Sequence, residues 1–357
     1  MISPTPNNGN GRNLAEVIRQ AAFGLYRGRI TRRLLKESFL GRQAARAGYQ
    51  IFMKRQYLPR VYNIEFTNHC NMKCVMCKNH QIPPEKKDYL TPQILERFVA
   101  EIDRFGPHTF LLVKQGDALA HPEFPRMLGI LRAASRHHRI YLTTNGLALH
   151  GQRLEAILDH EVDFVTFSID SIVPETYRKI RGRPLQPVLE NIREMTKRKA
   201  RSNLRLPHVS VNMVVMKSNA GELEACRRFW AKEGIQLTLQ KANYWVEDTS
   251  EAGNLRWTLR NQAAGTRYPC YAPFLSPTLN SDGTVSICCG DWNNSCVLGD
   301  FRKQSLAEIW HGEAYARVRR CHLEGDYTEL PLCAECGQWK SQPNIFFPWQ
   351  YASPRRN

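Results

Sequence analysis

The chain has 357 residues, 42% of them hydrophobic, and a formal charge of +17 at neutral pH. That suffices for one large domain with a sizeable core and a smaller appended unit. No stretch approaches the roughly 18 consecutive apolar residues of a membrane span. The polar, Asn- and Gly-rich start lacks the charged-then-apolar pattern of a secretory signal, so a cytoplasmic protein is expected. The 11 cysteines are an odd number, which argues against a disulfide framework and for metal or catalytic chemistry.

Residues 1–60 open with a polar tip and continue as a basic, mostly helical extension. Val17, Ile18, Ala21 and Leu25, then Leu34, Leu35 and Phe39, recur at helical spacing. Gly24, Gly28, Gly41 and Gly48 interrupt them, which predicts short helices. From Arg12 to Arg60 there are 12 basic residues against two acids, Glu16 and Glu37. A phosphorylated substrate, a membrane surface touched through residues 12–60, or nucleic acid would suit that charge. A solvated amphipathic helix packed on the rest of the chain would carry the same pattern.

Residues 61–245 alternate strand and helix signals. Strands are predicted at 61–66, 109–114, 140–144, 164–169, 209–216 and 235–240. Helices are predicted at 94–105, 125–136, 152–158, 187–199 and 221–233. Six strands with intervening helices predict a parallel α/β fold, with polar residues gathered at the carboxyl ends of the strands. Residues 246–269 read as a linker or lid, 270–342 as a second cysteine-bearing module, and 343–357 as a tail.

The first predicted strand runs into Cys70-Asn-Met-Lys-Cys74-Val-Met-Cys77, a Cys-x3-Cys-x2-Cys loop. An iron–sulfur cubane has four irons and usually takes four thiolates. Three cysteines in one loop can grip three corners and leave the fourth iron open to an outside ligand, such as the amino and carboxylate groups of S-adenosylmethionine (SAM). A zinc site would need a fourth ligand, and His69 and His80 stand close in sequence. On the residues alone both readings stay open.

This loop, placed after a first strand, resembles the radical SAM superfamily. The resemblance implies a partial (β/α)6 barrel, reductive cleavage of SAM at a [4Fe–4S] cluster held by Cys70, Cys74 and Cys77, and a 5′-deoxyadenosyl radical. It also implies a reductant such as flavodoxin or ferredoxin. Gln115-Gly116-Asp117 stands where the family has a Gly-Gly-Glu turn contacting the SAM amino group. Asp117 keeps the acid but shortens it, Gln115 departs from the first Gly, and Ala118 replaces the usual Pro. Asn145, in Thr143-Thr144-Asn145-Gly146, resembles the family's third strand end. Ser168 and Asp170 resemble its fourth, near the SAM ribose and carboxylate. Arg181 resembles the family's carboxylate-binding Arg, and Met76 the residue packed on the adenine. Away from the cluster loop each would pass as an ordinary turn, loop or core residue.

Among the remaining cysteines, Cys333-Ala-Glu-Cys336 is a close ligand pair, and Cys288 follows a Ser281-Asp282-Gly283 turn and a short strand. With Cys270 they resemble the SPASM and Twitch modules that hold auxiliary clusters. The resemblance implies one auxiliary [4Fe–4S] cluster on Cys270, Cys288, Cys333 and Cys336, and so two clusters in all. No cysteine follows Cys336 to build another. Four zinc-binding thiolates would fit the same spacing. Cys226 reads as core. Cys289 could exchange roles with Cys288. Cys296 and Cys321 read as structural, with hydrogen-atom donation as the alternative.

A fully ligated cluster has no open iron and serves as an electron relay or acceptor. That favours dehydrogenation, with epimerisation beside it. The resemblance to Twitch relatives that act on amino-sugars and cyclitols implies a sugar- or cyclitol-type small molecule, phosphorylated or lipid-linked if the basic extension contributes. A peptide maturase is an alternative, although residues 12–60 show no hairpin signal and are too short for the recognition domain such relatives carry. An RNA-modifying enzyme lacks any recognised nucleic-acid module. A non-enzymatic zinc or iron–sulfur protein is the alternative of another class.

Overall fold

The computed structural model describes residues 40, 43, 46–50, 58–241 and 269–336. The helices expected between residues 12 and 39, the linker or lid up to residue 268 and the tail at 343–357 lie outside the described residues.

Strands β1 (Val61–Ile64), β2 (Thr109–Leu112), β3 (Arg139–Thr144), β4 (Phe164–Ser168), β5 (His208–Val215) and β6 (Gln236–Lys241) pair in sequence order, all parallel. Helices α1 (Pro92–Asp103), α2 (Phe124–Ala134), α3 (Gln152–Asp159), α4 (Pro174–Arg181), α5 (Gln186–Arg201) and α6 (Leu223–Lys232) lie between them. This is the expected partial barrel of β/α units. The expected strands begin within one residue of the observed ones, and helix α4 was not foreseen.

Alternation fixes which face meets the helices. In β3 and β4 every second residue is fully buried: Ile140, Leu142 and Thr144, then Val165 and Phe167. With Val211 and Met213 of β5, the apolar ones join one core with the helical stripes Leu95–Phe98–Val99–Ile102 of α1 and Val188–Leu189–Ile192–Met195 of α5. Each such side chain contributes about 1.5–3 kcal/mol when removed from water. The opposite face is half-buried and polar. Thr143, Thr166 and Ser210 stand in register across three strands, and Ser168 pairs with Asn212 one step nearer the carboxyl ends. Tyr141 and Phe164 stack at 4.5 Å nearer the amino-terminal ends.

The C-terminal cysteine segment is built onto this sheet. Helix α7 (Ala272–Leu275) leads into β7 (Thr278–Leu279), which pairs parallel with β1. Strands β8 (Thr284–Ser286) and β9 (Val297–Asp300) follow antiparallel, giving the order β6-β5-β4-β3-β2-β1-β7-β8-β9. Ser305 caps α8 (Leu306–His311) in a reciprocal box with Glu308. The unforeseen α9 (Glu313–Glu324) and the short α10 (Pro331–Glu335) complete the described residues. Cys226 is buried in α6 and Cys321 in α9.

Candidate cluster and cofactor site

The cysteine loop leaves β1 and is fastened from two sides. Asp117 N donates to His69 O (2.9 Å), while Lys73 N and Val75 N donate to Arg181 O and Ile180 O (3.3 and 2.9 Å). The loop lies so close to the β2 end that a Cβ at Gly116 would sit 2.2 Å from Thr67 O and 2.5 Å from His69 O. Glycine at 116 is therefore required by close backbone approach.

Each of the three sulfurs meets a nitrogen donor. Asn145 Nδ2 lies 3.8 Å from Cys70 Sγ, Arg181 Nη1 donates to Cys74 Sγ (3.6 Å), and Asn79 N donates to Cys77 Sγ (3.4 Å). Burial pushes the Cys70 thiol up to about 12, and the charges of Asp117, Cys74 and Cys77 add to it. Burial also raises Cys74 and Cys77. As iron ligands these groups are thiolates, for which the surrounding N–H groups are already placed. Among the described residues no group of three His, Cys, Asp or Glu side chains is arranged to hold a single metal ion. A cubane asks for less, since each thiolate takes a separate iron.

The other expected residues divide. Asn145 joins the loop, with Nδ2 donating to Asn71 Oδ1 (2.8 Å). The Asp117 carboxylate accepts from Thr144 Oγ1 (2.8 Å), Asn145 N (2.7 Å) and Leu119 N (3.0 Å). It ties the β2 and β3 ends together. Asp170 and Arg181 pair with each other, Nε to Oδ2 at 2.5 Å, and Asp170 Oδ1 accepts from Val214 N. Met76 packs against the rim of the core. Ser168 is half-buried, and beside it Asn212 Oδ1 is buried with no partner among the described residues. Those open polar atoms and the three thiols fit a cofactor bearing hydroxyl and amino-acid groups.

Sequence reasoning missed three polar residues here. Glu65 is buried, and its carboxylate accepts from Gln115 N (3.0 Å), Ser281 N (3.2 Å) and Ser281 Oγ (3.1 Å). Asn79 Nδ2 donates to Asn68 O (2.7 Å) and Gln115 O (2.9 Å), locking the loop onto β2. Lys114 reaches into the C-terminal hairpin. The alternation of Asn63 and Glu65 with Tyr62, Ile64 and Phe66 was a signal for the first of these.

A family model described as "Radical SAM superfamily" matches residues 64–229, and one for an iron–sulfur cluster-binding domain, SPASM, matches residues 270–337. The chain carries a radical SAM domain followed by a SPASM domain. This radical SAM chain is 25% identical over 312 residues to a tungsten-containing aldehyde ferredoxin oxidoreductase cofactor-modifying protein of Pyrococcus furiosus, covering 76% of the chain and 86% of that protein. It is 31% identical over 178 residues to a probable GTP 3′,8-cyclase of Thermococcus kodakarensis, covering 49% of the chain and 54% of the cyclase. It thus spans about half the length of that cyclase. Streptococcus suis SuiB bound to SAM superposes with a TM-score of 0.59 at 14% identity, over 91% of this chain and 83% of SuiB, a likeness of fold. A radical SAM domain followed by SPASM makes SAM, a [4Fe–4S] cluster and auxiliary iron–sulfur its cofactors.

In the SPASM segment Cys288 lies within electrostatic reach of Cys289, Cys270, Cys333 and Cys336; burial raises its thiol most and these neighbours add to it. The four cysteines expected as auxiliary ligands therefore converge, with Cys289 beside them. Cys296 packs near Cys288 and Cys333 around Ile287, Val318 and Leu330. Replacing Cys333 with alanine is expected to remove roughly half of the chain's iron, while SAM cleavage uncoupled from substrate persists. Iron analysis with assay of 5′-deoxyadenosine checks this, and an undiminished iron content would refute the ligand assignment.

Proposed function

We propose that this chain is a radical SAM enzyme that oxidises a hydroxylated small molecule of sugar or cyclitol type, with Cys70, Cys74 and Cys77 holding the SAM cluster and Cys270, Cys288, Cys333 and Cys336 one auxiliary [4Fe–4S] cluster. When bound and reduced, the first cluster and SAM supply a 5′-deoxyadenosyl radical that removes a hydrogen atom from carbon, and the second offers a destination for the electron that dehydrogenation releases.

The observation that carries the substrate class is the sheet face turned away from the helices. Thr143, Thr166, Ser168, Ser210 and Asn212 line it with hydroxyl and amide groups, and Thr166 Oγ1 and Ser210 Oγ bond each other at 3.0 Å. Such groups exchange hydrogen bonds with a polyol, and a bare apolar substrate would leave them unpaired. The names of these two relatives, a cofactor modifier and a GTP cyclase, concern small molecules, which supports this reading over a peptide or RNA. Epimerisation of the same substrate class is the redox-neutral version.

Flavodoxin or ferredoxin fits as reductant. All 11 cysteines are free, which suits the reducing cytoplasm. No described helix is long and apolar enough to cross a membrane, and a membrane contact would fall to the basic residues 12–60.

The test is anaerobic incubation of the reconstituted, reduced protein with SAM and ring-deuterated sugars, cyclitols or nucleotides. Deuterium is expected in 5′-deoxyadenosine, and oxidation should give a product lighter than the deuterated substrate by one deuterium and one hydrogen. Colourless protein holding zinc and forming no 5′-deoxyadenosine would defeat the reading.

A further inference from the structure

Lys114 lies just past β2, next to Gln115, and its ammonium reaches across to the auxiliary hairpin. Nζ donates to Asn280 Oδ1 (2.5 Å), to Ser286 Oγ (3.4 Å) and to Asn294 Oδ1. All three acceptors are neutral. Ser286 stands two residues before Cys288, and Asn294 two before Cys296. Among the described residues no carboxylate forms an ion pair with Lys114. The acid of the same loop, Asp291, is fully buried and already engaged by Ser295 N, Ser295 Oγ and Cys296 N. A half-buried cation is thus held inside the cysteine hairpin by groups that orient it without cancelling its charge.

A cubane with four thiolates is a net anion, and reduction makes it more so. A fixed cation beside it favours the reduced form, more strongly where water is excluded. Arginine would keep the charge; a neutral side chain of similar length would keep the packing and lose it.

We propose that Lys114 is the counter-ion of the auxiliary cluster and holds its reduction potential up, so that the cluster is poised to take an electron from the barrel side. Lys114 is a positioning residue for charge rather than a ligand. This rests on the assignment of Cys270, Cys288, Cys333 and Cys336 as the auxiliary ligands.

The test uses the full chain with Cys70, Cys74 and Cys77 all replaced by alanine, so that the auxiliary site alone loads. Iron is counted, and the midpoint potential is read by titration followed by electron paramagnetic resonance. Lys114→Gln and Lys114→Met are each expected to lower the reduced-to-oxidised ratio at fixed potential on the order of tenfold, about 59 mV for a one-electron couple. Lys114→Arg should stay near the parent. If Lys114→Met fails to fold, Lys114→Gln, which retains hydrogen bonding, decides. An unmoved potential in a fully loaded Lys114→Gln protein overturns the proposal. A triple-alanine parent that binds no iron overturns the ligand assignment instead.

Discussion

Replacing Cys74 with alanine is expected to abolish reductive SAM cleavage, with 5′-deoxyadenosine falling to background and part of the iron retained. Cys74 is the most buried of the three loop cysteines and receives the Arg181 guanidinium on its sulfur. Two thiolates cannot hold three corners of a cubane, and among the described residues the loop sulfurs' hydrogen-bond partners are Asn79, Asn145 and Arg181, with no His, Asp or Glu to take the third corner. The iron that remains is expected at the C-terminal cysteines, which are remote in sequence. Anaerobic reconstitution, iron counting and product assay separate the two effects. Wild-type rates of cleavage in Cys74→Ala would end the assignment of this loop as the SAM site.

The second large effect is expected at Asp170. Its carboxylate is wholly buried, and the Arg181 side chain is only 9% exposed. Removing one partner of such a pair strands the other charge away from water, at about 3–5 kcal/mol. Asp170→Ala also frees Val214 N from its acceptor. Arg181 carries the turn that hydrogen-bonds the cysteine loop, so the loss should reach cluster loading as well as stability. Chemical unfolding under anaerobic conditions measures the first, and iron content the second. The double variant Asp170→Ala/Arg181→Leu removes both charges and should recover a large share of the lost stability. A single variant within about 1 kcal/mol of wild type would show that the pair is hydrated and of the weak surface kind.

Much of this architecture could be read from the sequence because its signals are local. Alternating strand and helix signals located the six parallel strands, and cysteine spacing located both sets of thiols. Helix α4 was hidden because only Tyr177, Ile180 and Arg181 of its eight residues are buried, so its apolar stripe is short. Helix α9 was hidden by its arginines. One of them, Arg319, is buried over the Trp310 and Tyr315 rings, 4.1 and 4.7 Å from their centroids, so a charged residue sits where the pattern asks for an apolar one. The site residues were legible as positions but not as partners. Asp170 and Arg181 both read as cofactor contacts, yet they meet each other; Asp117 holds strand ends together. Nothing local announces that Glu65 will find Ser281, which lies 216 residues further on.

The pairing of β7 with β1 bears on how this protein can be dissected. Strand β1 lies inside the sheet, flanked by β2 and β7, and all four of its residues are buried. A fragment ending after β6 would turn it into a naked border, with unsatisfied amides and an apolar flank open to any passing chain. The iron-binding C-terminal hairpin is thus also a structural selvage for the catalytic half, and the two halves cannot be expressed apart without exposing that seam.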